Sequence, residues 1–438
     1  MLERSVSFIG IFVLLGLAWL LSNNKKRISY RVVIWGVLLQ LIFAVIILKT
    51  APGHAIFFFA RAFIAKLLSF TDAGASFLFG NLYLGDPEIV KNVGASGTLQ
   101  LWNSTTKSFV DIGIIFAFHI LPTIIFFASL MSVMYHLGIM QKIVQFMAWI
   151  MAKTMGTSGA ESLSASGNIF VGQTEAPLLI RPYVQEMTRS ELMAIMVGGF
   201  ATIAGGVMAA YVRFGIDAGH LMAASVMSAP AALVMAKIIF PETEESKTRG
   251  IVKLEVEKKT ANIIDAAASG AADGLKLAAN VGAMLMAFLA LIAMINFALG
   301  KVDEIINFIT FYHTHLDWDL SLKKIFGLIF SPLAFIMGVE PKDMLQVGNL
   351  LGTKISINEL VAYVDLAALK GTISPRSYII ATYALCGFAN FGSIAIQLGG
   401  IGSIAPMRRG DLAKIGLKAM FGGALASWLT ATIAGILI

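Results

Sequence analysis

The sequence predicts an all-α polytopic membrane protein, with eight transmembrane helices plus two re-entrant hairpins related by an inverted repeat, and interfacial helices beside them. Three observations carry that prediction. Of 438 residues, 57% are hydrophobic and only 13% are charged, against roughly 25% charged in a soluble globular protein. Apolar runs recur at the length of about 20 residues that a helix needs to span a bilayer core of about 30 Å. Two stretches of the chain also carry the same landmarks in the same order, headed by KIVQFMAWIMAKTMG at 142–156 and KIFGLIFSPLAFIMG at 324–338.

The apolar runs fit eight crossings, at 5–22, 32–48, 110–137, 191–212, 220–240, 277–300, 377–402 and 412–438. The first lacks a basic start and a small-residue cleavage site, and Lys25, Lys26 and Arg27 follow it directly. It reads as a retained crossing rather than a leader. Short loops rich in cations stay in the cytoplasm. With Lys25, Lys26, Arg27 and Arg31 inside, alternation places Lys142, Lys153, the basic-rich 247–259 stretch, Arg408 and Arg409 inside too. Both termini are then outside, in a multi-pass protein of the inner (plasma) membrane. The net charge of +7 follows from this sidedness and implies no nucleic-acid partner. Residues 55–70, AIFFFARAFIAKLLSF, carry Arg61 and Lys66 among aromatics and read as a helix lying in the interface. A ninth crossing there would break the agreement among the basic loops. The charged stretch 241–262 reads as a solvated linker. The single cysteine, Cys386, excludes an intramolecular disulfide.

The repeat extends beyond its opening helix. Each copy places a carboxylate some 19 to 21 residues after its Met-Gly, Glu175 in the first and Glu359 in the second. Further on come GGFATIAGG at 198–206 and CGFANFGSI at 386–394. Three crossings separate equivalent points, so the second copy is upside down relative to the first. Inverted repeats are a construction of secondary transporters, with the ligand held near the midplane where the copies meet. Each carboxylate stretch is too short and too broken to cross and return as two full spans. Hence two re-entrant hairpins are expected, at about 160–188 from inside and about 341–370 from outside. The chain divides accordingly: 1–140 with crossings one to three and the interfacial helix, 141–240 as the first repeat unit, 241–323 with the cytoplasmic loop and crossing six, and 324–438 as the second unit.

A carboxylate at bilayer depth costs on the order of 2.5–3.5 kcal/mol on insertion scales, so Glu175 and Glu359 require partners. Three are open: a cation, a hydroxylated solute, or an internal base such as Lys354. A fourth reading has the acids bracing the hairpins. Gln173, Thr174, Asn390 and Ser393 add uncharged donors and acceptors suited to a neutral polar solute. Pro177 and Pro182 remove backbone donors and Gly172 permits a sharp turn, freeing carbonyls as hard oxygen ligands. GGFATIAGG predicts an unwound point in the fourth crossing. Asn168, Thr174 and Thr202, with carbonyls of Val171 and Ile203, form an all-oxygen set suited to sodium; close helix packing explains the glycines equally well. Phe200 and Phe388 occupy equivalent repeat positions, with packing the favoured role for each. His119 reads as a satisfied polar residue, and Asp111 and Asp273 as solvated.

GQTEAPLLIRPY (172–183), GTKISINELVAY (352–363) and CGFANFGSIAIQLGG (386–400) together resemble the concentrative nucleoside transporter family, specifically its sodium-coupled bacterial branch. The resemblance runs from the first crossing to the C-terminus. It implies a homotrimer whose protomers pair a scaffold, crossings one, two, three and six, with a moving part holding both hairpins and crossings four, five, seven and eight. It also implies site residues at matching positions. Gly172, Gln173, Thr174, Glu175 and Val207 would face the nucleobase. Glu359, Asn390 and Ser393 would take the ribose hydroxyls, with Phe388 packed on the nucleoside. Asn168, Thr202 and the carbonyls of Val171 and Ile203 would hold sodium. The implied function is sodium-driven import of nucleosides by alternating access, with proton coupling as the alternative within the family. An intramembrane enzyme is the rival of another class, but GxSxG, HExxH and GxxxxGK[ST] are absent, and YLGDP at 83–87 lacks the first glycine of GxGD. No enzymatic activity is expected.

Overall fold

The computed structural model describes residues 2–85, 87–105, 107–248, 260–309 and 320–438; most of the basic-rich 247–259 stretch lies outside them. The first two crossings are helices Leu2–Leu20 and Tyr30–Lys49. The third is shorter than expected. Residues 108–111 form a strand paired antiparallel with Gln100–Asn103, and the crossing starts at Phe116, running to His136 with a step at Ile120. The sixth is longer, a single helix over Ile263–Ile309, and the fifth and eighth are Ala218–Ile239 and Arg409–Leu437.

The repeat is visible element by element. A helix, Ile139–Met155 in one copy and Leu322–Ile336 in the other, ends at a glycine in the left-handed region, Gly156 at φ +75° and Gly338 at φ +90°. A hairpin follows, with arms Gly159–Gly167 and Ala176–Val184 in the first copy, Met344–Ser356 and Glu359–Ala368 in the second. Next comes a broken helix. The fourth crossing unwinds between Arg189–Ala201 and Gly205–Arg213, where the glycines predicted it. The seventh, expected as one run, is likewise two helices, Pro375–Leu385 and Phe391–Ile404. An unbroken helix closes each copy.

Contacts sort the loops onto two faces. On one, Arg31 donates to the carbonyls of Lys153 and Thr154, Asn23 N donates to Ile239 O, and Arg408 donates to the carbonyls of Gln185 and Met187. On the other, Ser7 donates to Met337 O and Arg376 to Gly338 O, while Arg4 donates to Ile438 O at 2.7 Å. The start of the first hairpin belongs to the first face, through Gly159 N and Thr248 O, and the start of the second belongs to the other. The hairpins therefore enter from opposite sides, as an inverted repeat requires.

The expected interfacial stretch 55–70 is the centre of a longer helix, Ala51–Phe79. Its second half together with the 3-10 turn Gly80–Tyr83 that follows, Ala62–Tyr83, is long and apolar enough to cross. Its partners show that it runs along one face instead. Asp72, near the middle of that run, pairs with Arg213, the last residue of the fourth crossing. Tyr83 O, at its end, meets His119 Nε2 at 2.9 Å near the start of the third. A helix spanning the bilayer would place these two contacts at different depths. Contact between Arg4 and Ile438 demands an even number of crossings, which the eight others supply. His119 is buried and satisfied through both ring nitrogens, and Asp111 sits exposed with its carboxyl held below the ordinary range by hydrogen bonds from Thr98 and Gln100.

Cysteines placed singly at Ala51 and Asn81 should both react with an impermeant maleimide added to one side of sealed vesicles. Because native Cys386 is buried, background is low. Labelling of the two from opposite sides would make Ala51–Phe79 a crossing.

Candidate functional site

The hairpin tips are built by local rules. Ser158 and Glu161 form a reciprocal capping box at the start of Gly159–Gly167, which satisfies two of the orphan donors of a helix start. Glu161 also pairs with buried Lys237, tying the hairpin's base to the fifth crossing. Two prolines, Pro177 and Pro182, keep the return arm in short 3-10 and helical turns. In the second hairpin Asn358 caps the return helix through Val361 N at 3.0 Å, leaving Glu359 in its first turn. Asn390 does the same for the second half of the seventh crossing, accepting from Ser393 N at 2.8 Å.

These tips and breaks surround a cavity whose space, open mouth included, is about 860 Å³. Gly172, Gln173, Thr174, Glu175, Val207, Glu359, Phe388, Asn390 and Ser393 all line it. Every substrate residue singled out in the sequence is therefore in one place. Glu359 is buried, accepting from Tyr211 Oη at 2.9 Å and Asn390 Nδ2 at 3.2 Å. Gln173 Nε2 donates to Ser393 Oγ at 3.1 Å, joining the first hairpin to the seventh crossing.

Three details differ from expectation. Lys354, one of the open partners for Glu359, donates elsewhere: to the carbonyls of Ala384 and Cys386, at 2.9 and 3.3 Å, and to Ser427 Oγ. It neutralises the carbonyl end of the broken seventh helix, where the ladder leaves acceptors unpaired. The two acids are also unlike. Glu359 is enclosed, whereas Glu175 faces the open side and accepts only from its own loop at Gly172 N, 3.0 Å away, among the hydrogen bonds described. Phe200 and Phe388 part company as well. Phe388 lines the cavity, but Phe200 is buried against Gly423, where an added Cβ would come within 2.2 Å of the Phe200 Cβ.

Sequence reasoning missed one wall. Leu277, Val281, Met284, Leu285 and Phe288 form a stripe of the long sixth helix across from the tips. Tyr211, the hydroxyl partner of Glu359, was also missed; a tyrosine near the end of a crossing ordinarily marks the interface.

The expected sodium ligands lie beside this cavity, at two adjacent breaks joined by Gly205 N donating to Phe170 O at 3.0 Å. Asn168 is fully buried. Its Nδ2 donates to Ser164 O, and its Oδ1 has no hydrogen-bond partner among the described residues. Thr202 Oγ1, also buried, donates to Gly198 O, so its lone pairs remain available. An orphaned buried oxygen beside a free hydroxyl oxygen and unwound backbone fits a hard cation, which prefers oxygen ligands.

Comparison with known proteins follows the same geography. Residues 9–82 match the description "Na+ dependent nucleoside transporter N-terminus", 117–218 match "Nucleoside recognition", and 220–435 match "Na+ dependent nucleoside transporter C-terminus". An uncharacterized transporter of Haemophilus influenzae is 43% identical, over 99% of this chain and 97% of its own length. The chain belongs to the Na+-dependent, concentrative nucleoside transporter family. Among the family's members, Sodium/nucleoside cotransporter 1 of mouse is 42% identical, over 99% of this chain and 64% of the mouse protein; the chain thus spans less than two thirds of that relative. The transporter CNTnw in an inward-facing substrate-bound state matches at a TM-score of 0.87 and 39% identity, over 99% of this chain and 98% of that one. A doubly substituted CNTnw in an outward-facing state matches with a TM-score of 0.88 and 39% identity, covering 100% of this chain and 98% of that one. These relatives are transporters, not enzymes.

Proposed function

We propose that this chain is a sodium-driven nucleoside symporter of the inner membrane, working as a homotrimer by alternating access, with both termini outside. The observation that carries this reading is the convergence of both inverted hairpins and both broken helices on one cavity whose buried acid is already hydrogen-bonded. A neutral, hydroxyl-rich guest suits such an acid, because hydroxyl donors satisfy its remaining lone pairs at little desolvation cost. Glu359, Asn390 and Ser393 take the ribose hydroxyls, and Phe388 packs on the nucleoside. Gly172, Gln173, Thr174, Glu175 and Val207 face the base. Sodium binds Asn168, Thr202 and the carbonyls of Val171 and Ile203. Hairpins and crossings four, five, seven and eight move against a scaffold of crossings one, two, three and six.

The driving force is adequate. One charge moving down 100 mV yields about 2.3 kcal/mol, and a tenfold sodium gradient adds about 1.4 kcal/mol. One ion per nucleoside thus supports roughly 500-fold accumulation.

Labelled uridine should accumulate in proteoliposomes given an inward sodium gradient and equilibrate without accumulation when sodium is equal on both sides. Accumulation driven by a proton gradient without sodium would establish the alternative coupling, and no uptake under any gradient would remove the transport reading.

Glu359→Gln should reduce riboside uptake by at least about tenfold, the loss of a hydrogen bond to a charged group, at unchanged yield of folded protein. Equal loss of yield would make the acid a brace. Asn168→Ala should raise the sodium concentration for half-maximal uptake several-fold, measured at saturating uridine; an unchanged sodium dependence would place the ion elsewhere.

A further inference from the structure

Behind the cavity, one layer out from its lining, Gln397 sits fully buried in the second half of the seventh crossing. Its Nε2 donates twice, to Met196 O at 3.1 Å and to Gln173 Oε1 at 3.0 Å. Gln173 in turn lines the cavity and donates through its Nε2 to Ser393 Oγ. The space between them is made by a glycine. A Cβ on Gly199 would come within 2.7 Å of Gln397 Nε2 and 2.9 Å of the Gln173 Cβ.

We infer that Gln397 is a positioning residue that fixes which way the Gln173 amide faces, and so which nucleobase edge the cavity accepts. This rests on the nucleoside reading above. An amide can turn over, exchanging its oxygen and nitrogen, and its direction is decided by the network around it. A backbone carbonyl can only accept. Met196 O therefore draws the nitrogen of Gln397, not its oxygen. The second proton on that nitrogen then points to Gln173, which must present its oxygen. Gln173 Nε2 consequently faces Ser393, whose oxygen is occupied as an acceptor while its own proton is left free to donate. Polarity passes from one fixed carbonyl, through two amides, to a hydroxyl in the cavity.

The consequence is selectivity between bases of similar size. A uracil edge offers a carbonyl acceptor beside an N–H donor, and a cytosine edge offers an amino donor beside a ring-nitrogen acceptor. The two edges present opposite orders to a Gln173 amide of fixed direction, so one is favoured. An amide free to turn over suits both.

The test compares uridine and cytidine, as kcat/KM for sodium-driven uptake into proteoliposomes, in wild type, Gln397→Leu and Gln397→Glu. Gln397→Leu removes the fixing donor while keeping the volume apolar, and should bring the uridine-to-cytidine ratio roughly three- to tenfold closer to one, the range of a single net hydrogen bond. The change should appear in KM, with kcat and protein yield preserved. Gln397→Glu supplies one proton when its carboxyl is neutral and none when ionised, and in either form presents an acceptor toward Gln173, so the ratio should move in the same direction or reverse. A wild type that does not distinguish the two bases, or variants that keep its ratio, would overturn the assignment. So would variants that lose uptake of both bases equally in kcat, since that is what a merely structural residue would do. Absence of nucleoside uptake by wild type would be a different failure, removing the functional reading itself.

Discussion

A helix interrupted inside a bilayer must find partners for the backbone groups it abandons, because no water is there to take them. The whole site depends on how this chain meets that demand. The fourth and seventh crossings are broken at equivalent points of the repeat, and each break draws on a partner outside its own helix. Phe170 O of the first hairpin takes the amide of Gly205. Lys354 of the second hairpin covers the carbonyls of Ala384 and Cys386. Asn390 caps the restarted helix and Gln397 occupies Met196 O. Each hairpin thus serves as the satisfying partner of a broken helix, and the cavity is what remains between them.

The same problem is solved differently in the two copies. In the second, an internal ammonium fills the carbonyl end of the break. In the first, the corresponding region keeps Asn168 Oδ1, which has no hydrogen-bond partner among the described residues, and the Thr202 hydroxyl oxygen, which donates to Gly198 O. Symmetry of fold therefore comes with asymmetry of charge: one break carries its own cation and the other keeps oxygen atoms unspent. The carboxylates differ likewise: Glu359 is enclosed and accepts from Tyr211 and Asn390, whereas among the described residues Glu175 is open and held by its own loop. Duplication supplies the geometry, and later divergence of side chains gives the halves distinct tasks.

Much of this was legible in the sequence because breaks in a membrane helix demand unusual residues. Gly-Phe-Ala with its flanking glycines, the prolines of the first hairpin and the paired acids stand out against an apolar background, and they located the cavity's polar residues. The apolar wall was not legible. Leu277, Val281, Met284, Leu285 and Phe288 share a helix face, but in a lipid-embedded helix every face is apolar, so spacing gives no contrast between a wall and a lipid contact. Gln397 was overlooked because a lone glutamine in IAIQLGG has no sequence neighbour to show its partners; both lie some 200 residues away. The extent of the Ala51–Phe79 helix was also hidden, since Asp72 interrupts the apolar run and only its ion pair with Arg213 accounts for a charge there.

The most direct measurement asks whether the two tips share one guest. With Thr174 and Leu360, which line the cavity from opposite hairpins, replaced by cysteine, a short flexible bismaleimide should link them, detected by mass spectrometry of peptides joined across the two hairpins. Saturating uridine should slow that linkage several-fold relative to the same buffer without uridine. Failure of the link to form, or a rate indifferent to uridine in protein that still transports it, would contradict a common cavity between the inverted hairpins.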